Sequence, residues 1–263
     1  MPELPEVETV VNTLKRLIVG SKIESVLVRY DLIRSKEFFV DGQTINDITR
    51  RGKYLVFHLD DYYMISHLRM EGKYFVKSDE PFEKHEHMIF YLNDSRTLRY
   101  HDVRKFGTFD LIDKSEVDNF FQKLGPEPFD KAFNAEYLFN RKSRKPIKNF
   151  LLDQTVVAGI GNIYVNEICF LTKIHPEKIT QELSLAQFED IIKVTRKVLM
   201  KAIELGGTTI RSYTSSLGVT GRFQNELQVH GKVGEPCPVC GDLVAKIKVS
   251  GRGTYLCESC QKR

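Results

Sequence analysis

Two groups of residues in this 263-residue chain have types and spacings that could do chemistry, and they lie at its opposite ends. Near the carboxyl end, Cys237-Pro-Val-Cys240 and Cys257-Glu-Ser-Cys260 are two CxxC pairs with 16 residues between them. Each pair supplies two thiolates from one knuckle, and the spacing suits a four-cysteine zinc site. Four protein ligands leave no open coordination position, so the expected cofactor is one structural zinc. Cys169 stands apart in an apolar helical stretch and is expected in a core. At the amino end, removal of Met1 would turn Pro2 into a secondary amine beside Glu3. An unprotonated amine next to a carboxylate can act covalently through a Schiff base, and an unperturbed α-amino group titrates at about 7.7–8.0. The positive end of a following helix lowers that value, whereas Glu3 and Glu6 raise it, so the sign of the net shift stays open. A proline-started helix with no catalytic role is the plainer reading of the same residues.

Anion-binding chemistry is spread between these ends. Residues 141–148, RKSRKPIK, carry Arg141, Lys142, Arg144, Lys145 and Lys148 without an acid; they form either a phosphate-contacting edge or a solvated face. In VVAGIGNIY, Gly159 and Gly161 allow close backbone approach, and a helix starting at about Asn162 would offer its amides to an anion, unless the glycines serve only a turn. Arg252, between Gly251 and Gly253, could reach a phosphate bidentately or simply be solvated.

The elements that must position these groups are legible from periodicity. An amphipathic helix starts at about Pro5, with Val7, Val10, Val11, Leu14, Leu17 and Ile18 on one stripe and Gly20 as its stop. Six strands follow within residues 22–112: KIESVLVRY, KYLVFHL, YYMISHL, GKYFVK, HMIFYL and TLRYHDV, with turns at Asp60-Asp61 and Asn93-Asp94. GPEPF at 125–129 is the expected linker. Residues 184–205 form a helix opened by a Ser184–Gln187 capping box and closed by Gly206-Gly207. Residues 215–222 have the small, polar composition of a loop. LVAKIKV and TYLC make a hairpin around SGRG between the cysteine pairs. The predicted class is α+β: an amino-terminal helix plus β-sandwich over 1–125, a helical domain over 130–225 and a zinc-finger hairpin over 226–263.

Composition sets the bounds. The chain is 41% hydrophobic and 28% charged, with a net charge of +4, as for a globular and mildly basic protein. No apolar run is long enough to span a membrane and no secretory signal opens the sequence, so a cytoplasmic location is expected.

The opening MPELPEVET resembles the amino terminus of the bacterial formamidopyrimidine-DNA glycosylases. Further motifs similar to that family follow in order: RRGKYL at 50–55, HLRMEG at 67–72, EKHEH at 83–87, DVRKFG at 102–107, GIGNIY, NELQVHG at 225–231 and GRGT in the cysteine hairpin. The resemblance implies a β-sandwich, a helix–two-turn–helix domain and a zinc finger, with DNA in the cleft between the lobes. It also implies a base-excision-repair glycosylase and abasic-site lyase that removes oxidised purines such as 8-oxoguanine and formamidopyrimidines. Such an enzyme extrudes the damaged nucleotide before acting on it. By the same resemblance Pro2 attacks the anomeric carbon, Glu3 serves as general acid, Lys53 is an active-site cation and Arg252 clamps a phosphate. Met70, Arg104 and Phe106 fill the vacated space; without the family, Met70 and Phe106 would be read as core residues. His85, Arg104, Lys148 and Asn162 match DNA contacts, and Arg144 belongs to the basic edge. Glu167, Tyr213 and Thr214 fall in the implied lesion pocket, beside a loop over 213–224. Double-stranded DNA carrying an oxidised purine or an abasic site is the implied partner, and a bacterial, nucleoid-associated monomer the implied state.

Departures and rivals bound this reading. Asn149 stands where the family often has proline, and the 213–224 loop is similar to the family only at its edges. A sister group that removes oxidised pyrimidines opens with PEGPE; Leu4 here favours the purine branch. A non-catalytic lesion-binding protein would have no use for Pro2, Glu3 and Lys53. A zinc-ribbon module on an unrelated scaffold leaves PELPEVET unexplained.

Overall fold

The computed structural model describes residues 1–208 and 221–262, which fall into two compact units. The first comprises residues 1–122 with 205–222, and the second residues 123–204 with 223–263. Tyr213 and Thr214 lie outside the described residues.

The first unit opens with α1 (Leu4–Ile18), which begins one residue before the expected Pro5, with Glu3 as its N-cap. Val7, Val10, Val11, Leu14 and Ile18 are buried. Leu17 is exposed, because helical spacing carries it to the rim of the stripe, off the Val7–Val11–Leu14–Ile18 line. Eight strands follow: β1 (Ile23–Val28), β2 (Asp47–Arg51), β3 (Tyr54–His58), β4 (Tyr62–His67), β5 (Lys73–Lys77), β6 (Glu86–Leu92), β7 (Thr97–His101) and β8 (Thr108–Asp113). They form two four-stranded antiparallel sheets, ordered β1-β6-β7-β5 and β2-β3-β4-β8. Between the sheets lies one core built from both inner faces, including Phe57, Met64, Tyr74, Met88, Phe90, Tyr100 and Phe109, with the buried stripe of α1 added to it. This is a sandwich with a helix on it, the solution two half-apolar sheets require. A short α2 (Val117–Phe121) closes the unit, its Phe120 and Phe121 rings against Tyr54.

In the second unit, residues 125–129 are held rather than free. Gly125 N–H donates to Gln154 O (2.8 Å), Ala158 N–H to Pro126 O (3.0 Å), and a Cβ on Gly125 would stand 2.5 Å from the Val156 backbone. Four helices follow: α3 (Ala135–Phe139), α4 (Ile147–Leu152), α5 (Asn162–Leu171) and α6 (Leu185–Glu204). The capping box of α6 is present: Ser184 N–H donates to Gln187 Oε1 (3.0 Å) and Gln187 N–H to Ser184 Oγ (3.3 Å). Gly206 and Gly207, both at φ 75°, end that helix. Strands β9 (Ala245–Val249) and β10 (Arg252–Leu256) pair antiparallel around a two-residue turn, Ser250-Gly251, so Arg252 opens β10. Among the described residues no helix is long and apolar enough to cross a membrane.

Candidate active site

Pro2 and Glu3 are buried immediately ahead of α1. Glu6, one turn on, explains how this end is held. Its Oε2 accepts Glu3 N–H at 2.9 Å, and its Oε1 accepts both Thr208 N–H (2.8 Å) and Thr208 Oγ–H (3.0 Å). An anion belongs at this position, where unpaired helix amides converge. Gly207 must be a glycine for Glu6 to approach, since a Cβ there would meet the Glu6 side chain at 2.9 Å. The Pro2 nitrogen becomes an amine only when the Met1–Pro2 peptide bond is cleaved.

Lys53 follows Gly52 (φ 58°) in the β2–β3 hairpin and is 6% exposed. An Arg50–Glu8 ion pair at 2.7 Å ties this hairpin to α1, so the helix that follows Pro2 and Glu3 also holds the hairpin that carries Lys53. His67 is buried and packs edge-on against Tyr54 at 4.5 Å. Burial, then the Arg69 and Lys53 cations, hold its pKa down at about 3. Its neutral ring accepts Arg69 N–H on Nδ1 (2.9 Å), which supports the left-handed Arg69 (φ 52°) just before Met70.

The loops bearing Met70 and Phe106 close on the same tyrosine. A Cβ on Gly72 would lie 2.2 Å, and one on Gly107 1.6 Å, from the Tyr100 hydroxyl. The last glycines of HLRMEG and DVRKFG therefore make room for Tyr100. Asp102, fully buried, shapes the second loop by accepting Arg104 N–H on Oδ1 (3.0 Å) and Phe106 and Gly107 N–H on Oδ2 (2.9 Å each). Arg104 stacks over the Phe106 ring at 4.7 Å, and Phe106 remains 52% exposed. An exposed phenylalanine at a loop tip is not a core residue. Met70 is half-buried. His85 lies near His87 and His101, on a segment held by buried Glu86 and Arg99, which pair at 3.2 Å; Arg99 also donates to the Glu80 and Pro81 carbonyls.

In the second unit Asn162, Lys148 and β10 converge on one carbonyl: Gly253 O accepts from Asn162 Nδ2 and from Lys148 Nζ, each at 3.1 Å. Lys148, expected at a phosphate, is wholly buried, and its ammonium also donates to Asn166 Oδ1 (3.0 Å) and Thr254 Oγ1 (2.7 Å). Asn166 Nδ2 in turn donates to His230 Nδ1 (2.8 Å), which puts that ring's proton on Nε2. Burial and the Lys148 cation hold His230 down at about 4. Arg252 and Arg144 are exposed. Glu167, expected in a lesion pocket, is 2% exposed; its carboxylate accepts the N–H groups of Gln228, Val229 and His230 at 2.7, 3.1 and 2.8 Å, and burial raises its pKa against their pull. It anchors the NELQVHG segment.

Cys237, Cys240, Cys257 and Cys260 bring their sulfurs within 4.8 Å of one another. The pairs Cys237–Cys260 and Cys240–Cys257 stand at 3.9 and 3.4 Å, bracketing the roughly 3.8 Å edge of a tetrahedron with Zn–S bonds of about 2.3 Å. Both knuckles turn alike, Gly241 N–H donating to Cys237 O and Gln261 N–H to Cys257 O (2.9 Å each). The thiol set fits one structural zinc.

His67, Asp102 and Thr254 were not singled out from sequence, and Glu6 was read only through its charge, not as the acceptor of Glu3 and Thr208. An aspartate opening a short glycine-closed loop, as in DVRKFG, is the one available local signal.

Three family models match in order: the formamidopyrimidine-DNA glycosylase N-terminal domain over residues 1–109, its H2TH domain over 124–214, and a zinc finger found in FPG and IleRS over 234–263. Formamidopyrimidine-DNA glycosylases of Streptococcus mutans and Lactococcus lactis subsp. cremoris are each 50% identical, covering 100% of both chains. Among solved structures, the Lactococcus lactis Fpg bound to abasic-site DNA aligns with a TM-score of 0.94 at 48% identity, over 99% of this chain and 100% of that one. The wild-type Lactococcus lactis Fpg with oxidised-pyrimidine DNA gives 0.94 at 47%, and with N7-benzyl-Fapy-dG DNA 0.93 at 48%, both over 100% of each chain. With three family models matched in order and half of all residues shared with full-length relatives, this chain belongs to the formamidopyrimidine-DNA glycosylase family.

Proposed function

We propose that the chain excises oxidised purines from double-stranded DNA and cleaves the strand at the resulting abasic site, with Pro2 as nucleophile once Met1 is removed. The buried Pro2–Glu3 pair, fixed at the head of α1 through Glu6, is the observation that carries this reading. The Pro2 nitrogen attacks C1′ with its lone pair, the glycosidic bond breaks, and its electron pair leaves with the base, which takes up a proton. The amine proton is lost and Glu3, as the acid, protonates O4′; the sugar ring opens to an iminium. That cation is an electron sink. Loss of a C2′ proton expels the 3′ phosphate, loss of a C4′ proton expels the 5′ phosphate, and water then hydrolyses the iminium and regenerates the amine.

In the same reading Lys53 supplies a cation, Arg252 clamps a phosphate, and His85 and Arg144 meet the DNA backbone. Met70, Arg104 and Phe106 fill the space left by the extruded nucleotide; the exposed Phe106 ring suits a wedge between base steps. Asn162 belongs to the phosphate-facing region, which the buried Lys148 supports from within the protein, and Glu167 to the support of the lesion pocket, to which Tyr213 and Thr214 are also assigned. The bound zinc supplies no chemistry to the step: a closed four-thiolate site holds the hairpin in shape. The protein works as a monomer, as one lesion needs one cleft, in the cytoplasm of a bacterium with nucleoid DNA as its substrate. Residues 1–125, 130–225 and 226–263 serve as catalytic, helical and zinc-finger domains.

Borohydride trapping tests the reading. On duplex carrying 8-oxoguanine opposite cytosine, the Met1-processed protein should form a covalent adduct that maps to Pro2, and Pro2→Gly should reduce its yield sharply. No adduct on 8-oxoguanine, ring-opened guanine or abasic duplexes would leave a lesion-binding protein. Because a 47%-identical relative has been solved with oxidised-pyrimidine DNA, a parallel oxidised-pyrimidine duplex measures how far the substrate range extends.

A further inference from the structure

Buried lysines are rare because desolvating an ammonium is expensive unless every donor is satisfied. Lys148 gives its protons to neutral acceptors: a side-chain amide, a hydroxyl and a backbone carbonyl. Two of these three acceptors belong to Gly253 and Thr254, immediately after Arg252. The Thr254 hydroxyl, itself fully buried, accepts from Lys148 and passes its own proton to Arg252 O at 3.0 Å. Asn162 reinforces the arrangement through Gly253 O.

We infer that Lys148 and Thr254 are positioning residues for Arg252, an ammonium–hydroxyl–carbonyl relay that fixes the first residues of β10 and so aims the exposed guanidinium. Lys148 serves the reaction through the protein rather than by touching DNA. The inference rests on the proposed role of Arg252 at the lesion phosphate. Its physical basis is geometric: beyond the β9 ladder that pairs β10, the relay adds three hydrogen bonds from α4 and α5 at the point where the guanidinium departs.

The test is a double-mutant cycle on zinc-replete full-length protein, reading strand cleavage at a preformed abasic site and at 8-oxoguanine. Thr254→Val keeps the shape and removes the hydroxyl; it should slow cleavage on the order of ten- to a hundred-fold, the usual penalty for a misplaced catalytic group. Thr254→Ser should restore the native rate. In an Arg252→Ala background, Thr254→Val and Lys148→Met should each change the rate by less than about twofold, since their effect passes through Arg252. Lys148→Met reads the relay from its other partner, so loss of folding in one variant leaves the question decidable. Additive losses, or a Thr254→Val protein as fast as native, would overturn the relay. A native protein inactive on both substrates would overturn the proposed function itself.

Discussion

At the residue scale the structure separates groups that meet the reaction from groups that hold them. Pro2 and Glu3 carry the proposed chemistry, yet Glu6 fixes where they stand, and His67 does the same for the turn before Met70. His67 gives a measurable consequence. An ordinary histidine titrates near 6.5, whereas in the fold this ring accepts a proton only at about 3, because burial and then the Arg69 and Lys53 cations oppose the charged form. A depressed pKa means the contribution to stability is fully present above about pH 6.5 and is lost as the pH falls towards 3. Between pH 7 and pH 5 this one group should withdraw about 2 kcal/mol of stability. His67→Asn places an amide oxygen where Nδ1 accepts Arg69 N–H and cannot titrate. Its urea-unfolding free energy should therefore fall by about 2 kcal/mol less than the native protein's over the same interval. Equal losses in the two proteins would show that His67 is already protonated in the fold at pH 5.

At the element scale the loops that present exposed groups are shaped by buried ones. Asp102 receives three loop amides, and a buried donor left without its acceptor is expensive. Asp102→Asn turns an amide NH2 towards one of those donors and should lower the unfolding free energy by about 1–3 kcal/mol, with slower excision of 8-oxoguanine. Unchanged stability in urea would mean that other contacts hold residues 102–107. The same scale shows what was legible beforehand. α1, α6 and the cysteine hairpin declared themselves through periodicity, capping and spacing. The strands missed were β2 and β8, the two edges of the β2-β3-β4-β8 sheet. Edge strands bury one face only partly and carry charges on the rest, as in DITRR, so no apolar alternation marks them. The settings of Lys148 and Glu167 were illegible for a different reason. A lysine reads as surface charge until its acceptors are known, and Gly253 and Thr254 stand 105 and 106 residues away. The amides that hold Glu167 are 61 to 63 residues distant. Only the folded chain brings such partners together.

At the scale of the whole molecule the first unit and the zinc hairpin of the second depend on different physics. The first has a large two-sheet core with the α1 stripe packed into it. The zinc hairpin has a cluster of five buried residues, Phe170, Val229, Cys237, Val244 and Cys257, two of which are metal ligands. So small an apolar cluster cannot hold two strands and two knuckles by itself, so the metal must supply part of the folding free energy. The core of the first unit shares no residue with this cluster. Stripping the metal should therefore leave the first unit's sheets folded while releasing β10, and with it Arg252 and the Thr254 hydroxyl that Lys148 contacts. The expected result is a protein that keeps most of its far-ultraviolet strand signal, loses cleavage at abasic DNA, and regains it on addition of one equivalent of zinc. Metal analysis before and after chelation, with cleavage assayed at each stage, checks this. A metal-free chain that cleaves at the native rate would show that the hairpin is held by its packing against α5 alone, and that the four thiolates are dispensable for placing Arg252.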